Sequence, residues 1–153
     1  AAGVNGIIRE KVFPATIDFM DKNAINTVEK FYPCGLKTDK ECMLLVEVDG
    51  FESSIKTQLL RTERALLNNG ATDIVSVTDK EKMNDVWTAR RASYGATAKL
   101  APDVVTDDVI VARSSLSKMV KDNELITAHL IPFTFPSLTI GLSKIDSDGY
   151  VRQ

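Results

Sequence analysis

The chain has 153 residues, 44% hydrophobic and 26% charged, with a formal net charge of -2 and a sequence pI near 5.5. That length suffices for one domain with a real core, and the mild acidity argues against a nucleic-acid partner, which needs a basic face. No apolar run reaches the length of a membrane span, and the N-terminus has neither the basic start nor the long apolar centre of a signal peptide.

Residues Ile7 to Phe31 read as a broken helical region, interrupted at Pro14. Asp21 is placed to cap its second half over Ala24, Ile25 and Val28. Pro33 and Gly35 mark a loop from Tyr32 to Cys42. Met43 to Gly50 is the clearest strand, an apolar run ended by a turn signal. A helix follows from Glu52 to Asn68, with Ile55, Leu59, Leu66 and Leu67 on its apolar side and Gly70 ending it.

Ala71 to Thr78 reads as a second strand. Thr78 or Asp79 then caps a helix from Lys80 to about Lys99, and Glu81 stands where a capping box from Thr78 would place it. Val104 to Ala112 reads as a third strand, and Ser114 or Ser115 opens a helix through Leu116, Met119 and Val120. Thr134 to Ile140 has strand character weakened by proline. The alternation of elements leaves two architectures open: a parallel three-layer sheet, or an α+β sandwich with helices on one face.

Cys34 and Cys42 are spaced too widely for a redox pair, and two free thiols are expected. With His129 as the single histidine, a zinc site is not expected.

One residue is out of place. On a wheel of about 100° per residue, Met83, Val86, Trp87 and Tyr94 share one stripe, and Arg90 falls inside it. A charge turned toward a core must be paired or must meet a ligand. Arginine suits a carboxylate, because its planar fork offers two parallel donors and keeps its charge. From the wheel alone the plainer reading leads: a structural salt bridge to Asp107, Asp108 or Glu47, or a head group snorkelling to water. Arg91 beside it is expected to be solvated.

Three stretches together resemble the C-terminal domain of FAD-linked oxidases, the family of the glycolate oxidases and the D-lactate dehydrogenases. Phe13-Pro14-Ala15-Thr16-Ile17-Asp18-Phe19-Met20-Asp21 is similar to that family's P-x-x-x-E-hydrophobic-hydrophobic-D segment, with Asp18 in place of the usual Glu. Leu44-Leu45-Val46-Glu47-Val48-Asp49-Gly50 resembles its apolar strand ending E-x-D/E-G. Val86-Trp87-Thr88-Ala89-Arg90-Arg91 matches W-x-x-R, and Asp108 to Ala112 is similar to the following strand, with Ala112 replacing a proline. The resemblance runs from about Gly6 to Asp122.

The resemblance implies an α+β, ferredoxin-like antiparallel sheet backed by helices, acting as a cap over a flavin. It implies that Arg90 binds the carboxylate of a small 2-hydroxyacid substrate, and it moves the reading of Arg90 to that side. It implies FAD in a full-length parent, with none bound to this chain. Residues 1–153 are expected to be a single incomplete domain, without the flavin-binding domain that would be its partner. The family's G-H-x-G-D-G-N-x-H motif, the expected source of metal ligands and the base, is not in the sequence, and His129 reads as a surface or loop residue. No catalytic, cofactor-binding or metal-binding residue is therefore assigned. The chain alone is expected to be inactive, cytoplasmic, at the membrane periphery in the parent enzyme, and prone to self-association through uncovered apolar surface. The alternative is a free-standing α+β domain that binds or senses a small carboxylate.

Overall fold

A computed structural model describes residues 2–100, 110–112, 115–122 and, for the backbone, 139–143. In chain order the elements are α1 (Ala2–Arg9), β1 (Thr16–Asp21), α2 (Lys22–Phe31), β2 (Cys42–Glu47), α3 (Glu52–Leu67), α4 (Lys80–Thr97), α5 (116–122) and β3 (Thr139–Ser143). The three strands lie in the order β2-β1-β3, and both pairings are antiparallel. The expected α+β class, an antiparallel sheet backed by helices, is the one observed.

The helices cover both faces of this sheet. Side chains alternate along a strand, so Ile17 and Phe19 share one face of β1 while Asp18 and Met20 share the other. Ile17 packs with Val4 and Ile7 of α1, Val12, Ala65 of α3 and Leu116 of α5, against Leu44 and Val46 of β2. Met20 packs with Ala24, Ile25 and Val28 of α2 and Ala96 of α4, beside Met43. β1 is thus central and buried on both sides. Neither open architecture anticipated this arrangement: the sheet is antiparallel, yet helices lie on both faces.

Double burial also explains the largest misreading. Residues 16–21 form the central strand, where the sequence pattern suggested part of a broken helix. A strand covered on both faces loses its polar-apolar alternation, and Ile17, Met20 and Ala24 then mimic helical spacing. The cap at Asp21 is as expected: its Oδ1 accepts from the Ala24 N–H at 2.7 Å, and α2 begins immediately after β1. The chain therefore turns from strand to helix within one residue.

The helix α3 and the strand β2 fall where the sequence puts them. Gly50, at φ +126°, makes the turn between them, and Gly70, at φ +91°, follows the end of α3. Leu67 is exposed, however, and the deepest residues of α3 are Thr62 and Ala65. Residues 71–79 are not a strand. Val75 is 76% exposed, and the segment is tied instead to the loop before β2 by Lys37 to Asp73 and by Lys40 Nζ to Thr72 Oγ1 at 3.4 Å. β-branched residues supply strand propensity, but a ladder needs a partner edge, and this segment has polar anchors in its place.

The proposed strand 104–112 lies mostly outside the described residues; its end, 110–112, is not in a strand, and Ile110 is 95% exposed. The helix expected from Ser115 is present as α5, with Leu116 in the core. Of the expected strand 134–140, residues 139 and 140 belong to β3, and the rest lie outside the described residues. Cys34 and Cys42 are free and exposed, as expected. Among the described residues no helix is long and apolar enough to cross a membrane.

Candidate functional site

The helix α4 starts at Asp79, whose Oδ1 accepts from the Lys82 N–H at 3.0 Å. The capping box between Thr78 and Glu81 does not form, because Asp79 occupies the cap position and places Lys82, not Glu81, at the third helical residue. Ala89, Ser93 and Ala96, at i, i+4 and i+7, make its buried stripe. Their small side chains let α4 lie close over α2, where Ala96 enters the Met20 cluster and Gly95 faces Tyr32. The buried face is therefore about one residue step, ~100°, round the helix from the stripe of large residues the wheel suggested. Tyr94, expected inside, is 62% exposed. Close approach of backbones outweighed side-chain size.

Arg90 follows Ala89 at the edge of this stripe and is 28% exposed. Its Nε donates to Asp18 Oδ2 at 2.7 Å, across 72 positions of sequence. Asp18 stands on the α2/α4 face of the central strand, and its side chain is only 5% exposed. A buried carboxylate without a counter-charge costs several kcal/mol, so the pair is mutually required. Of the expected partners, Glu47 is not bonded to Arg90, and Asp107 and Asp108 lie outside the described residues; the partner seen is Asp18. Asp18 was not among the expected partners because residues 16–21 looked helical, although it occupies the carboxylate position of the first family-like segment. Two of the three segments thus converge on one ion pair.

The bond uses one edge of the guanidinium. Among the described residues, Nη1 and Nη2 of Arg90 have no hydrogen-bond partner. On β1's other side, the residue registered with Asp18 is Gly141 of β3, which carries no side chain. Arg91 points to water as expected, donating from Nη2 to Thr88 Oγ1 at 3.1 Å and Asn84 Oδ1 at 3.4 Å. The remaining segment has a structural part: Asp49 O accepts from Gln58 Nε2 at 2.9 Å, and Glu47 O accepts from Ala15 N at 2.8 Å. His129 lies outside the described residues. Among the described residues no group of three or more His, Cys, Asp or Glu side chains is placed to hold a metal ion.

A second polar feature lies at the loop before β2. Glu29 of α2 accepts from three successive backbone N–H groups, those of Cys34 (3.1 Å), Gly35 (3.1 Å) and Leu36 (2.9 Å). Those bonds, led by Leu36 and Cys34, hold its carboxyl below the usual glutamate value. Burial pushes the Cys34 thiol up, and the hydrogen bond to Glu29 adds to the rise.

An antiparallel helix-covered sheet with an arginine presented beside its central strand is the setting in which the comparisons with known proteins fall. The family model for the C-terminal domain of FAD linked oxidases matches residues 1–137, and the chain belongs to that family. It is 30% identical to glycolate oxidase subunit GlcD of Bacillus subtilis (strain 168) over 121 residues, 79% of this chain and 26% of that protein. It is 31% identical to glycolate oxidase subunit GlcD of Escherichia coli (strain K12) over 113 residues, 74% of this chain and 23% of that protein. A probable mitochondrial D-lactate dehydrogenase of Danio rerio is 28% identical over 120 residues, 77% of this chain and 24% of that protein. The chain thus spans about a quarter of the length of these relatives.

The loop before β2 offers no phosphate cradle for FAD. A dinucleotide's phosphates need free, converging N–H donors. The run of three such donors at Cys34 to Leu36 is already filled by Glu29.

Proposed function

We propose that this chain is the substrate-side part of an FAD-dependent dehydrogenase acting on a small 2-hydroxyacid of the glycolate or D-lactate type. In this reading the cofactor belongs to a flavin-binding domain of the full-length parent, and Arg90 holds the substrate carboxylate. The single observation that carries it is the state of the Arg90 guanidinium: anchored through Nε to Asp18, with the Nη1/Nη2 edge unpartnered among the described residues. That edge matches the two oxygens of a carboxylate, and such a bidentate pair fixes orientation as well as affinity. Held there, the hydroxyl-bearing carbon is set at a fixed distance from the guanidinium, which is the positioning that makes a transfer step effectively unimolecular. Arginine keeps its proton, so Arg90 binds and orients and does not serve as the base. The names of the relatives support the substrate class, and the family supports FAD. The polypeptide by itself is read as a binding part without turnover.

Calorimetry of the chain with glycolate, D-lactate and 2-hydroxyglutarate tests this. Binding is expected for at least one of them, and Arg90→Lys should weaken it about tenfold by replacing a planar fork with a point charge. A chain that binds none of the three, or binds equally well as Arg90→Lys, would sink the reading.

A further inference from the structure

Asp18 is a costly choice at its position. It sits on the middle strand, registered with Leu45 on one side and Gly141 on the other, on the face that packs Met20 into an apolar cluster. An apolar residue there would avoid the desolvation of a carboxylate, and exchanging a buried ion pair for apolar side chains is often neutral or stabilising. The contact is also not the strongest one available to the two groups. A carboxylate meeting Nε and Nη2 together would make two parallel bonds. Here one oxygen meets Nε. A bond at Nε anchors the guanidinium at the point where it joins its stem, and the far edge is left to bond elsewhere.

We infer that Asp18 is a positioning residue for the ligand site: it fixes the Arg90 guanidinium through Nε so that the Nη1/Nη2 edge is presented, pre-oriented, to a monocarboxylate. The inference rests on the carboxylate-clamp reading of Arg90. An arginine side chain is flexible, and ordering it on binding costs affinity; a bond already made before the ligand arrives removes part of that cost. Charge works in the opposite direction, since Asp18 and an incoming carboxylate repel. Geometry and charge are separable by substitution. Asp18→Asn keeps an oxygen facing Nε and removes the charge. Asp18→Ala removes both.

The test is a titration of the full chain with glycolate, or with whichever of D-lactate and 2-hydroxyglutarate it binds, followed by calorimetry and by the Arg90 side-chain signals in 15N NMR. In the wild type the Nε–H signal should be sharp and already shifted before ligand is added, and the titration should move the Nη signals while leaving Nε nearly still. Asp18→Asn should bind within about threefold of wild type, or more tightly, and Asp18→Ala about tenfold more weakly. An Nε signal that moves as much as Nη overturns the inference on the wild type alone, without any variant needing to fold. So does an Asp18→Ala protein, folded by circular dichroism, that binds as the wild type does. The two failures are distinct: a wild type that binds no carboxylate defeats the clamp itself, whereas binding lost in Arg90→Lys and untouched in Asp18→Ala defeats only the part given to Asp18.

Discussion

Arg90 of α4 and Asp18 of β1 are joined Nε to Oδ2 at 2.7 Å, with the carboxylate buried and the guanidinium partly open. The asymmetry sets the cost of breaking the pair. Losing the arginine strands a buried charge, whereas losing both leaves an apolar gap of similar shape. Arg90→Met should therefore destabilise the chain by about 3 kcal/mol, and adding Asp18→Val, which makes both positions apolar, should recover most of that loss. Urea denaturation of the two variants checks it. Equal stability of the single and double variants would show that the pair is not coupled.

Glu29 makes the loop before β2 sensitive to acid. Its carboxyl lies below the ordinary glutamate value because the Leu36 and Cys34 N–H groups, then that of Gly35, stabilise the charged form. A depressed carboxyl contributes stability that is present above the unfolded value and is lost as pH falls through the folded one. Amide exchange at Cys34 to Leu36, corrected for its intrinsic pH dependence, should therefore quicken as pH drops below the ordinary glutamate range. In Glu29→Gln the protection should be weak at every pH, and Cys34 should alkylate faster at mildly alkaline pH, since the charge that helps raise its thiol is gone. Unchanged protection in Glu29→Gln at neutral pH would contradict this.

Lys11 closes α1 in the left-handed region at φ 58°, donating its N–H to Ile8 O at 3.0 Å while Val12 N–H reaches Ile7 O at 3.3 Å. Glycine adopts that backbone without a Cβ clash. Lys11→Gly should stabilise the chain by about 1 kcal/mol, seen as a rise in Tm of a few degrees. A fall in Tm would mean that the lysine side chain contributes more than its backbone costs.

Gly6 shows the opposite case. A Cβ there would lie 2.4 Å from Asn69 Nδ2 and 3.3 Å from the Ala65 carbonyl oxygen. Asn69 is itself committed, donating to that same oxygen at 2.7 Å. Alanine improves helix propensity by about 1 kcal/mol, but forcing α1 off α3 costs about 1–3 kcal/mol. Gly6→Ala should be net destabilising by about 1 kcal/mol in thermal or urea melts. A stabilised variant would show that Asn69 swings aside at no cost.

Some of this molecule was legible from residue order. The cap at Asp21, the strand β2 with its Gly50 turn, the extents of α3 and α4 and the beginning of α5 all depend on local chemistry: a carboxylate facing free N–H groups, an apolar run, a glycine at positive φ. Arg90 stood out for a local reason too, because a charge in an amphipathic pattern is visible along one helix. The family-like segments around Asp18, Glu47 and Arg90 were visible in the same way.

What the tertiary structure decided depends on partners that are distant in the chain. Residues 16–21 became the central strand because β2 and β3 pair with its two edges and helices cover its two faces, and that double burial erased the alternation that marks a strand. Residues 71–79 had strand-forming side chains and found no edge. The inward face of α4 was set by how near Ala89, Ser93 and Ala96 let it come to α2. The meeting of Arg90 with Asp18 followed from those placements, since periodicity ranks the faces of a single element and carries no information about which carboxylate, seventy-two positions away, will stand opposite.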